Sequence, residues 1–576
     1  MIGLVAATAA GRRGCERLAT AWPGRTRTYE GPVSRSIGAA FRECDQLVVF
    51  LATGATVRLL APLLADKATD PGVVTVDEAH RHAVALLGGH AGGANDLAEA
   101  VSAELGSAPV VTTATDAVAL SALDGLPCPA EGAVAAVTRA LLDGDPVLLR
   151  AAPAWPLPAL PARPWPDTDE DPGLPAVWVT DRVEPPREAT VFVRPPSLVV
   201  GVGASSGVTA GEVLGLVRGT LRDARLAEAS VTALATVDAK ASEAGIVEAA
   251  AELDVELVTF AAPDLARIPV PNPSAAPLRA VGTPSVAEAA ALLAAGHSAA
   301  APAQDAGTGP APELVVSKRK SAMATVAVAR RRPRGRLAVV GLGPGARDLL
   351  TPRATAELRR ASVVVGLDQY VTQIRDLLRP GTRVLESGLG AEEERARTAV
   401  AEARAGHAVA LIGSGDAGVY AMASPALAEA ADDIDVVGVP GVTAALAAAA
   451  LLGAPLGHDH VSVSLSDLHT PWEVIERRVR AAAESDLVVT FYNPRSRGRD
   501  WQLPKALAIL AEHRTPGTPV GVVHAASRPD ERAEVTTLAA LDVTTVDMVT
   551  VVTVGNTATR TVAGRMVTPR GYRWQA

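Results

Sequence analysis

Short β-branched runs alternate with longer stretches of helical period along most of this chain. QLVVFLA is followed by TVRLLAPLLAD, and LAVVGLG is followed by ATAELRRA. Such alternation is typical of α/β units whose strands form parallel sheets. At roughly 150 residues per domain, a length of 576 residues predicts about four such domains. No segment of roughly 20 to 50 residues repeats itself, which excludes a solenoid.

The charge balance and the cysteine content restrict partners and compartment. Lys and Arg total 54 against 63 Asp and Glu, a net charge of −9, so we expect neither nucleic acid nor a membrane as a partner. Cys15, Cys44 and Cys128 are too few and too far apart for a disulfide framework, a four-cysteine zinc site or an iron–sulfur cluster. The N-terminus lacks a signal-peptide pattern, and the longest apolar run, residues 444–457, is shorter than the roughly 20 residues that span a bilayer. We therefore expect a soluble cytoplasmic protein.

Clusters of proline and glycine divide the chain. Residues 153–175 hold eight prolines and an acidic run, which favours an extended, semi-rigid linker. Residues 298–313 predict a surface insertion, and the arginine-rich residues 330–336 predict a solvated linker rather than a nucleic-acid patch. We expect α/β domains at 1–125 and 197–330, a small middle domain with the linker at 126–196, and a C-terminal half at 336–576 with lobes at 336–442 and 443–576.

A glycine loop follows the predicted strand 337–340. Gly341, Gly343 and Ala346 satisfy the pattern G-x-G-x-x-A, which in dinucleotide-binding proteins lets the backbone approach a pyrophosphate. Pro344 removes one amide donor from the loop, and Asp368 follows too late to meet a ribose. A nicotinamide oxidoreductase is therefore the weaker hypothesis, and the loop is expected to turn sharply beside another ligand.

Further loops follow at strand ends in a fixed order. They are GSGDAGVYAMASP (413–425), PGVTAALAAAALLGAP (440–455), FYNP (491–494), GVVHAASRP (521–529) and VTVVTVGNTATR (549–560). In order and spacing, residues 336–570 resemble the tetrapyrrole methyltransferases, and SLSDLHTPWEVIERR resembles their precorrin-3B C17-methyltransferase branch. One departure is Ala417, where the family's GDP element has proline.

The resemblance implies a two-lobed class III methyltransferase fold with S-adenosylmethionine between the lobes, and a homodimer. It places these residues around the cofactor: Pro344, Ser414, Gly415, Asp416, Val419, Thr443, Ala444, Tyr492, Asn493, Ala525 and Gly555.

Ring contraction in that branch requires an acid or base, because a proton must leave an oxygen. Asp467 and His524 are the candidates; the alternatives are that Asp467 caps the helix near Pro471 and that His524 is a pocket-wall residue. His458, His460 and His469 are candidate metal ligands, because alternate residues of a strand lie on the same face. No carboxylate or cysteine ligand accompanies them at fixed spacing, so no metal is expected.

The N-terminal half contains a second glycine loop, GGHAGGAN, at the start of a predicted helix. Backbone amides, His90 and Asn95 meet there, and such a helix start binds anionic groups well. A strand ending in Thr112, Thr113, Thr115 and Asp116 is predicted to follow. The loop, residues 54–71 and the segments 235–245, 281–296 and 314–330 resemble the cobalt-precorrin-5A hydrolases, so that the likeness covers residues 1–330.

The hydrolase resemblance implies opening of a lactone with loss of acetaldehyde. His90 is the candidate base, and Asp77 or Glu78 would orient it. Lys67, Asn95 and the amides of the glycine loop are candidate stabilisers of the oxyanion. The family's GxGCRxG element is replaced by Ala204, Ser205 and Ser206.

Two hypotheses follow: a bifunctional enzyme of cobalamin biosynthesis acting on precorrin or cobalt-precorrin substrates, or a methyltransferase with a non-catalytic tetrapyrrole-binding N-terminal half. A lactone hydrolase half favours the route in which cobalt enters early.

Overall fold

The computed structural model describes residues 1–66, 69–151, 153–166, 173–296, 312–430, 432–496 and 498–571. The chain divides into two compact units. The first unit comprises Met1–Pro333 and Arg379–Thr382, and the second comprises Arg334–Leu378 and Arg383–Ala576.

The first unit begins with a six-stranded sheet in the order β2-β1-β3-β4-β5-β6. Its strands are β1 (Ile2–Ala6), β2 (Thr26–Tyr29), β3 (Gln46–Phe50), β4 (Gly72–Val76), β5 (His82–Leu87) and β6 (Ala108–Val110). Its helices are α1 (Ala9–Ala21), α2 (Val33–Glu43), α3 (Thr53–Leu60), α4 (Ala94–Leu105) and α5 (Ala114–Ala117). Successive residues such as Leu4 and Val5 are both fully buried, in different core clusters. Burial on both faces explains why the strands are continuously apolar.

A second sheet of the first unit has the order β7-β11-β10-β8-β9. It consists of β7 (Ala130–Gly132), β8 (Leu148–Ala151), β9 (Arg163–Pro164), β10 (Ala176–Val179) and β11 (Thr190–Val193), with helix α6 (Val134–Asp143). The predicted linker contributes to this layer. Leu157 and Leu160 are buried in its core, Ser121 Oγ donates to Ala159 O at 2.8 Å, and β9 pairs with β8. The linker prediction is wrong for residues 153–166, because apolar residues between prolines pack into a core and prolines are tolerated at a sheet edge.

The third sheet of the first unit has the order β14-β13-β12-β16-β15. Its strands are β12 (Leu198–Ala204), β13 (Val231–Val237), β14 (Glu256–Phe260), β15 (Glu313–Lys320) and β16 (Ala324–Arg330). Its helices are α7 (Ala210–Asp223), α8 (Ala244–Glu252), α9 (Ala262–Ala266), α10 (Ala275–Val281) and α11 (Ala287–Gly296). β12, β13 and β14 run parallel, and β15 and β16 form an antiparallel edge. Most of the predicted insertion 298–313 lies outside the described residues.

The second unit begins with a parallel sheet in the order β19-β18-β20-β17-β21. Its strands are β17 (Arg336–Gly341), β18 (Val363–Leu367), β19 (Arg383–Ser387), β20 (Ala408–Gly413) and β21 (Asp435–Val439). Its helices are α12 (Pro352–Arg360), α13 (Asp368–Ile374), α14 (Glu392–Arg404) and α15 (Ala423–Glu429).

The rest of the second unit forms a mixed sheet, ordered β23-β24-β27-β25-β26, and a small sheet, ordered β22-β29-β28. The strands are β22 (Gly453–Ala454), β23 (His460–Ser464), β24 (Val488–Tyr492), β25 (Pro519–His524), β26 (Arg532–Thr537), β27 (Thr550–Val554), β28 (Arg560–Val562) and β29 (Arg565–Val567). The helices are α16 (Ala444–Leu452), α17 (Trp472–Glu484) and α18 (Gln502–Ala511). β24 runs parallel to β23 and antiparallel to β27, which runs antiparallel to β25, so β23, β24 and β25 end at the same edge.

The arginines between the two units are not the solvated linker that the sequence predicts. Arg330 Nε lies 2.6 Å from Asp181 Oδ2 within the first unit, and Arg334 Nε lies 3.0 Å from Asp435 Oδ1 within the second. Arg330 ends β16 and Arg336 begins β17. Among the helices in the described ranges, none is long and apolar enough to cross a membrane.

Candidate functional site

Two loops at the carboxyl edge of the parallel sheet of the second unit are joined through their backbones. Gly343 N donates to Gly415 O at 3.0 Å, and Gly415 N donates to Gly343 O at 2.7 Å. Gly343 has a φ of 75° and Gly415 a φ of 67°, in the left-handed region that glycine adopts without strain. The carboxyl edge of such a sheet is the usual place for a ligand.

Asp416 connects this pair of loops to a third one, which follows β21. Its Oδ1 accepts from Gly418 N at 2.8 Å, and its Oδ2 accepts from Gly441 N at 3.0 Å. A Cβ atom on Gly441 would lie 2.1 Å from Gly415 O, so no other residue fits at this position. Asp416 therefore fixes the relative positions of the loops after β20 and β21.

Tyr492, at the end of β24, connects the mixed sheet to the start of α16. Its hydroxyl lies 2.6 Å from Thr443 Oγ1 and accepts from Ala445 N at 2.9 Å. The Tyr420 ring lies 5.2 Å from the Tyr492 ring, and the Tyr420 hydroxyl donates to Ser462 O at 2.8 Å. Burial raises the pKa of Tyr420. The predicted residues Thr443 and Tyr492 are thus in direct contact.

The loop after β25 contacts the first glycine loop. Arg528 Nε donates to Pro344 O at 2.9 Å, and Ala346 N donates to Ser527 Oγ at 3.0 Å. Arg528 Nη2 also donates to Ser414 Oγ at 3.4 Å. Sequence reasoning missed Ser527 and Arg528, although they stand two and three residues after the predicted Ala525, in the same strand-end motif.

The other predicted cofactor residues fall into two places. Val419, Ala444 and Asn493 belong to the loops or to the helix start at the carboxyl edge, and Asn493 Nδ2 donates to Ser464 Oγ at 3.1 Å. Gly555 lies at the opposite edge, because its amide donates to Pro519 O, where β25 begins. A five-residue strand is about 16 Å long, so the structure does not bring Gly555 to the other ten residues.

Arg499 connects the loops after β23 and β24, and sequence reasoning missed it. Its Nη1 donates to Leu465 O at 3.0 Å and also to Asn493 O. Desolvation lowers the pKa of the Arg499 guanidinium, and the nearby Asp467 carboxylate opposes this shift.

The two catalytic candidates of this unit have different surroundings. His524 is largely buried, and its Nδ1 lies 3.4 Å from Thr550 Oγ1 and 3.3 Å from Asp547 Oδ1. Thr550 Oγ1 donates to Asp547 Oδ1 at 2.7 Å. Asp467 is exposed and accepts from Gln502 Nε2 at 2.9 Å. No side chain caps α17, so the alternative that Asp467 caps this helix is wrong.

The strands that precede Asp467 and His524 are three strand spacings apart in the sheet, or about 14 Å. They therefore suit different parts of a large substrate. His458, His460 and His469 are exposed, and no group of three or more potential metal-ligating side chains occurs within the described ranges.

In the first unit, the predicted glycine loop enters α4 as expected. Gly88 and Gly93 have φ values of 64° and 68°. A Cβ on Gly72 would lie 2.1 Å from Gly92 O, which shows how closely this loop packs against β4. The loop carries His90 and ends at the helix whose second residue is Asn95.

His90 and Asn95 meet at Asp116. His90 Nε2 lies 2.8 Å from Thr115 Oγ1 and 3.4 Å from Asp116 Oδ2, and Asn95 Nδ2 donates to Asp116 Oδ2 at 2.8 Å and to Thr113 Oγ1 at 3.1 Å. We call these five residues the His90 cluster. The predicted strand through Asp116 is wrong: β6 ends at Val110, and the chain turns into the short helix α5, which brings Thr115 and Asp116 to His90.

Asp77 and Glu78, predicted to orient His90, contact other residues instead. Asp77 closes a hairpin turn by accepting from Ala79 N at 2.9 Å and His82 N at 2.7 Å, and Glu78 accepts from Thr8 Oγ1. Desolvation raises the pKa of the Asp77 carboxyl, but its hydrogen bonds outweigh this effect and lower the pKa. Asp116 is the carboxylate that meets His90. Lys67 lies outside the described residues.

The substituted loop at the end of β12 is held by an ion pair. Lys240 Nζ donates to Ser206 Oγ at 2.9 Å and to Glu243 Oε2 at 2.8 Å, and Glu243 Oε1 accepts from Gly207 N at 2.7 Å. Lys240 thus supplies a cation beside Ser206, but its charge is paired with Glu243.

Comparisons with known proteins agree with the division into two units. Residues 336–542 match the family of tetrapyrrole (corrin/porphyrin) methylases. Residues 35–116 match the N-terminal model of cobalamin synthesis G, and residues 198–329 match its C-terminal model.

Two relatives support the methylase match, and a solved structure resembles the same part of the chain. A probable cobalt-factor III C(17)-methyltransferase of Salmonella typhimurium is 47% identical over 239 residues, which are 41% of this chain and 99% of the relative. A precorrin-3B C(17)-methyltransferase of a Sinorhizobium species is 41% identical over 250 residues, 41% of this chain and 97% of the relative. A crystal structure of the methyltransferase CobJ covers 41% of this chain and all of its own, with 40% identity and a TM-score of 0.40.

The chain belongs to the tetrapyrrole methylase family, and it joins this methylase to two segments of the cobalamin synthesis G type. The predicted fusion of cobalamin-biosynthesis modules and the predicted α/β fold class are confirmed.

Proposed function

We propose that the second unit transfers a methyl group from S-adenosylmethionine to C17 of precorrin-3 or its cobalt form, with contraction of the macrocycle. The joined loops after β17, β20 and β21 are the observation that carries this proposal. They form a cradle of backbone in which Gly415 and Gly441 leave no side chain in the way. The names of the relatives that this unit matches over nearly their whole length support the substrate class.

The cradle fits the cofactor by the chemistry of its groups. Pro344, Gly415, Thr443 and Ala444 would hold it through their backbones, and Asp416 keeps their loops in register. When bound, S-adenosylmethionine supplies a methyl group on a positively charged sulfur. Transfer of that group needs mainly alignment, so the rigid loops and the Tyr492 contact position the reactants.

The contraction step requires that a proton leave a hydroxyl of the macrocycle, and we assign this step to His524. Asp547 Oδ1 and Thr550 Oγ1 both face Nδ1, so Nε2 is the nitrogen that would accept this proton. Asp467, held by Gln502, would contact a different part of the macrocycle.

Calorimetry and mass spectrometry test this half. We expect S-adenosylhomocysteine to bind and NADH not to bind. We also expect cobalt-factor III or precorrin-3B to gain the mass of one methyl group. Binding of NADH without S-adenosylhomocysteine would restore the nicotinamide hypothesis.

For the first unit we propose hydrolysis of the cobalt-precorrin-5A lactone with release of acetaldehyde. Because Nε2 of His90 already contacts Thr115 and Asp116, Nδ1 is the nitrogen that would take a proton from the attacking water. Asn95 uses both amide hydrogens on Thr113 and Asp116, so it positions Asp116 instead of stabilising an oxyanion. The amides of the glycine loop remain the candidate oxyanion donors.

The substituted loop at Ser205 and Ser206 favours the alternative, a tetrapyrrole-binding half without catalysis. An incubation with cobalt-precorrin-5A separates the two proposals: acetaldehyde forms in one, and substrate is retained unchanged in the other. We further propose cytoplasmic location, a homodimer formed through the methyltransferase half, and the four-part domain division given above.

A further inference from the structure

A cavity of about 520 Å³ lies within the first unit, beside the sheet that contains β8 and β10. Its lining includes Arg150, Trp155, Trp178, Arg330, Arg331 and Arg332. This volume is in the ordinary range for small-molecule sites. None of these residues belongs to the His90 cluster, so the cavity is not part of the candidate hydrolytic site.

One face of this sheet carries a group of aromatic rings and guanidinium groups, of which Trp178 and Arg150 line the cavity. Trp178 pairs in register with Arg150 on one side and with Phe192 on the other. The Arg150 guanidinium lies 4.5 Å from the Trp178 ring centre, and the Trp178 and Phe192 rings are 5.9 Å apart. Trp165 extends the row, 6.0 Å from Trp178. Aromatic residues are 3% of the sequence, so such a concentration is unusual for this chain.

The charges of the lining favour an anionic ligand. Five arginines line the cavity against three carboxylates, Asp181, Glu184 and Glu313. Arg330 is paired with both Asp181 and Glu313. A local excess of cations stands out in a chain whose net charge is −9.

Arg331 provides an independent sign of a missing partner. Its Nε is buried and has no hydrogen-bond partner among the residues that the structure describes. A buried donor without an acceptor is costly, and arginine binds carboxylates in a bidentate manner. A carboxylate of a ligand would satisfy this donor.

We propose that this cavity binds one edge of a tetrapyrrole polycarboxylate, with the macrocycle against Trp178 and ring carboxylates on Arg150, Arg331 and Arg332. The choice of a tetrapyrrole rests on the proposed function; the requirement for a flat, anionic ligand rests on the cavity itself. The site would retain a corrin intermediate on the same chain as both reacting centres, which raises its local concentration.

Titration of the full-length protein with uroporphyrin III, an octacarboxylate, tests this proposal. Equilibrium dialysis counts the sites, and quenching of tryptophan fluorescence follows binding next to Trp155 and Trp178. In the double variant Arg150→Gln/Arg332→Gln we expect one site fewer per chain, or at least about ten-fold weaker binding at that site. Both arginines are exposed, so the variant should fold.

Arg163→Gln is the matched control, since Arg163 is an exposed arginine on β9 outside the lining. It should bind like the parent protein. Two further probes separate the parts of the ligand: a cationic porphyrin keeps the ring without carboxylates, and benzenehexacarboxylate keeps the carboxylates without the ring. Both should bind at least about ten-fold more weakly than uroporphyrin.

Equal binding by the double variant and the parent protein would overturn the proposal. Equal affinity for the cationic porphyrin, or for benzenehexacarboxylate, would likewise overturn it in favour of a stacking surface or a simple anion site. Affinity for S-adenosylhomocysteine, measured in the same samples, should not change in either variant. If the parent protein does not bind S-adenosylhomocysteine, the proposed methyltransferase function is contradicted, but the conclusion about the cavity still holds.

Discussion

His524 Nδ1 lies 3.3 Å from Asp547 Oδ1 and 3.4 Å from Thr550 Oγ1, so Asp547 supplies a carboxylate beside the candidate base. Asp547→Asn should retain the shape of the site but remove this charge. We expect the rate of ring contraction to fall by roughly 10²- to 10⁴-fold. Affinity for S-adenosylhomocysteine should stay within about two-fold of the parent value, because the side-chain hydrogen bonds of Asp547 among the described residues go to Val549 and Thr550 and not to the cradle loops.

Asp530→Asn is the control for this substitution, since Asp530 is an exposed carboxylate nearby in sequence. It should leave the contraction rate unchanged. A thermal melt distinguishes an effect on His524 from a general loss of structure, because the melting temperature of Asp547→Asn should stay close to that of the parent protein. An unchanged rate in a variant that melts like the parent would remove His524 from the mechanism.

The first unit offers a parallel test at Asp116. Asp116→Asn should reduce acetaldehyde release by roughly 10²-fold or more, since the carboxylate that orients His90 and accepts from Asn95 is lost. Asp96→Asn, at an exposed position next to Asn95, should have little effect. If acetaldehyde is released at the parent rate by Asp116→Asn, the His90 cluster is not the hydrolytic site.

A residue of the candidate sites could be predicted from the sequence when it stands in a motif. It could not be predicted when only the tertiary structure brings it to the site. His90, Asn95, Asp416 and Tyr492 stand in motifs, and the structure places each in a contact network. Asp116 and Asp547 stand outside the motifs and reach their partners through the fold. Asp547 is 23 positions from His524 in the printed sequence, and pairing of β25 with β27 brings them together.

The glycines in the loops at the strand ends differ in whether a larger residue could replace them. This difference predicts how substitutions would affect the loops. Gly415 has room for a Cβ but a φ of 67°, whereas a Cβ on Gly441 would meet Gly415 O at 2.1 Å. Gly415→Ala should cost about 1–2 kcal/mol of stability. Gly441→Ala must separate two loops and should therefore weaken S-adenosylhomocysteine binding far more than Gly415→Ala.

Thermal melting and calorimetry on the two variants measure these effects. Gly438→Ala is a suitable control, because a Cβ there meets nothing within 4 Å. If Gly415→Ala and Gly441→Ala bind S-adenosylhomocysteine equally well, the loops are not joined as described.

Asp416→Ala should also loosen the cradle, because one carboxylate holds two backbone amides in different loops. Each such bond to a charged group is worth about 1.5–3 kcal/mol. Affinity for S-adenosylhomocysteine should fall at least about ten-fold, and isothermal titration measures it. Retention of the parent affinity would mean that the cradle does not depend on this carboxylate.

Among whole elements, those with strong periodicity were predictable and those set by tertiary packing were not. The strand before the first glycine loop was expected at 337–340 and is found at Arg336–Gly341. Residues 153–166 were misjudged as a linker, because Leu157 and Leu160 show no period that reveals their burial. Gly555 stood in a motif but lies at the far edge, because β27 runs antiparallel to β25.

At the scale of the whole molecule, the two units meet in the sequence at Pro333 and Arg334, and only the four residues Arg379–Thr382 of the C-terminal part belong to the first unit. Compact units of this kind usually fold by themselves. The sequence predicts a boundary between 330 and 336, but it does not show that Arg334 belongs to the second unit. Arg334 Nη2 donates to Ile434 O at 3.2 Å in addition to the Asp435 pair, and Gly335 O accepts from Asp435 N at 2.9 Å. A fragment that begins at 334 keeps these bonds, and one that begins at 336 loses them.

We therefore expect fragments 1–333 and 334–576 to melt cooperatively, and 334–576 to bind S-adenosylhomocysteine within about two-fold of the full chain. Fragment 336–576 should be less stable by about 1–3 kcal/mol, because the hydrogen bonds of Arg334 and Gly335 are lost. Scanning calorimetry on the three fragments and titration on the two C-terminal ones measure these differences. Arg334→Ala in fragment 334–576 removes the hydrogen bonds of the arginine side chain but retains the bond to Gly335 O. The stability of this variant should therefore lie between those of fragments 334–576 and 336–576. Equal melting temperatures for 334–576 and 336–576 would show that the second unit begins at β17 itself, and an insoluble 334–576 would show that it does not fold alone.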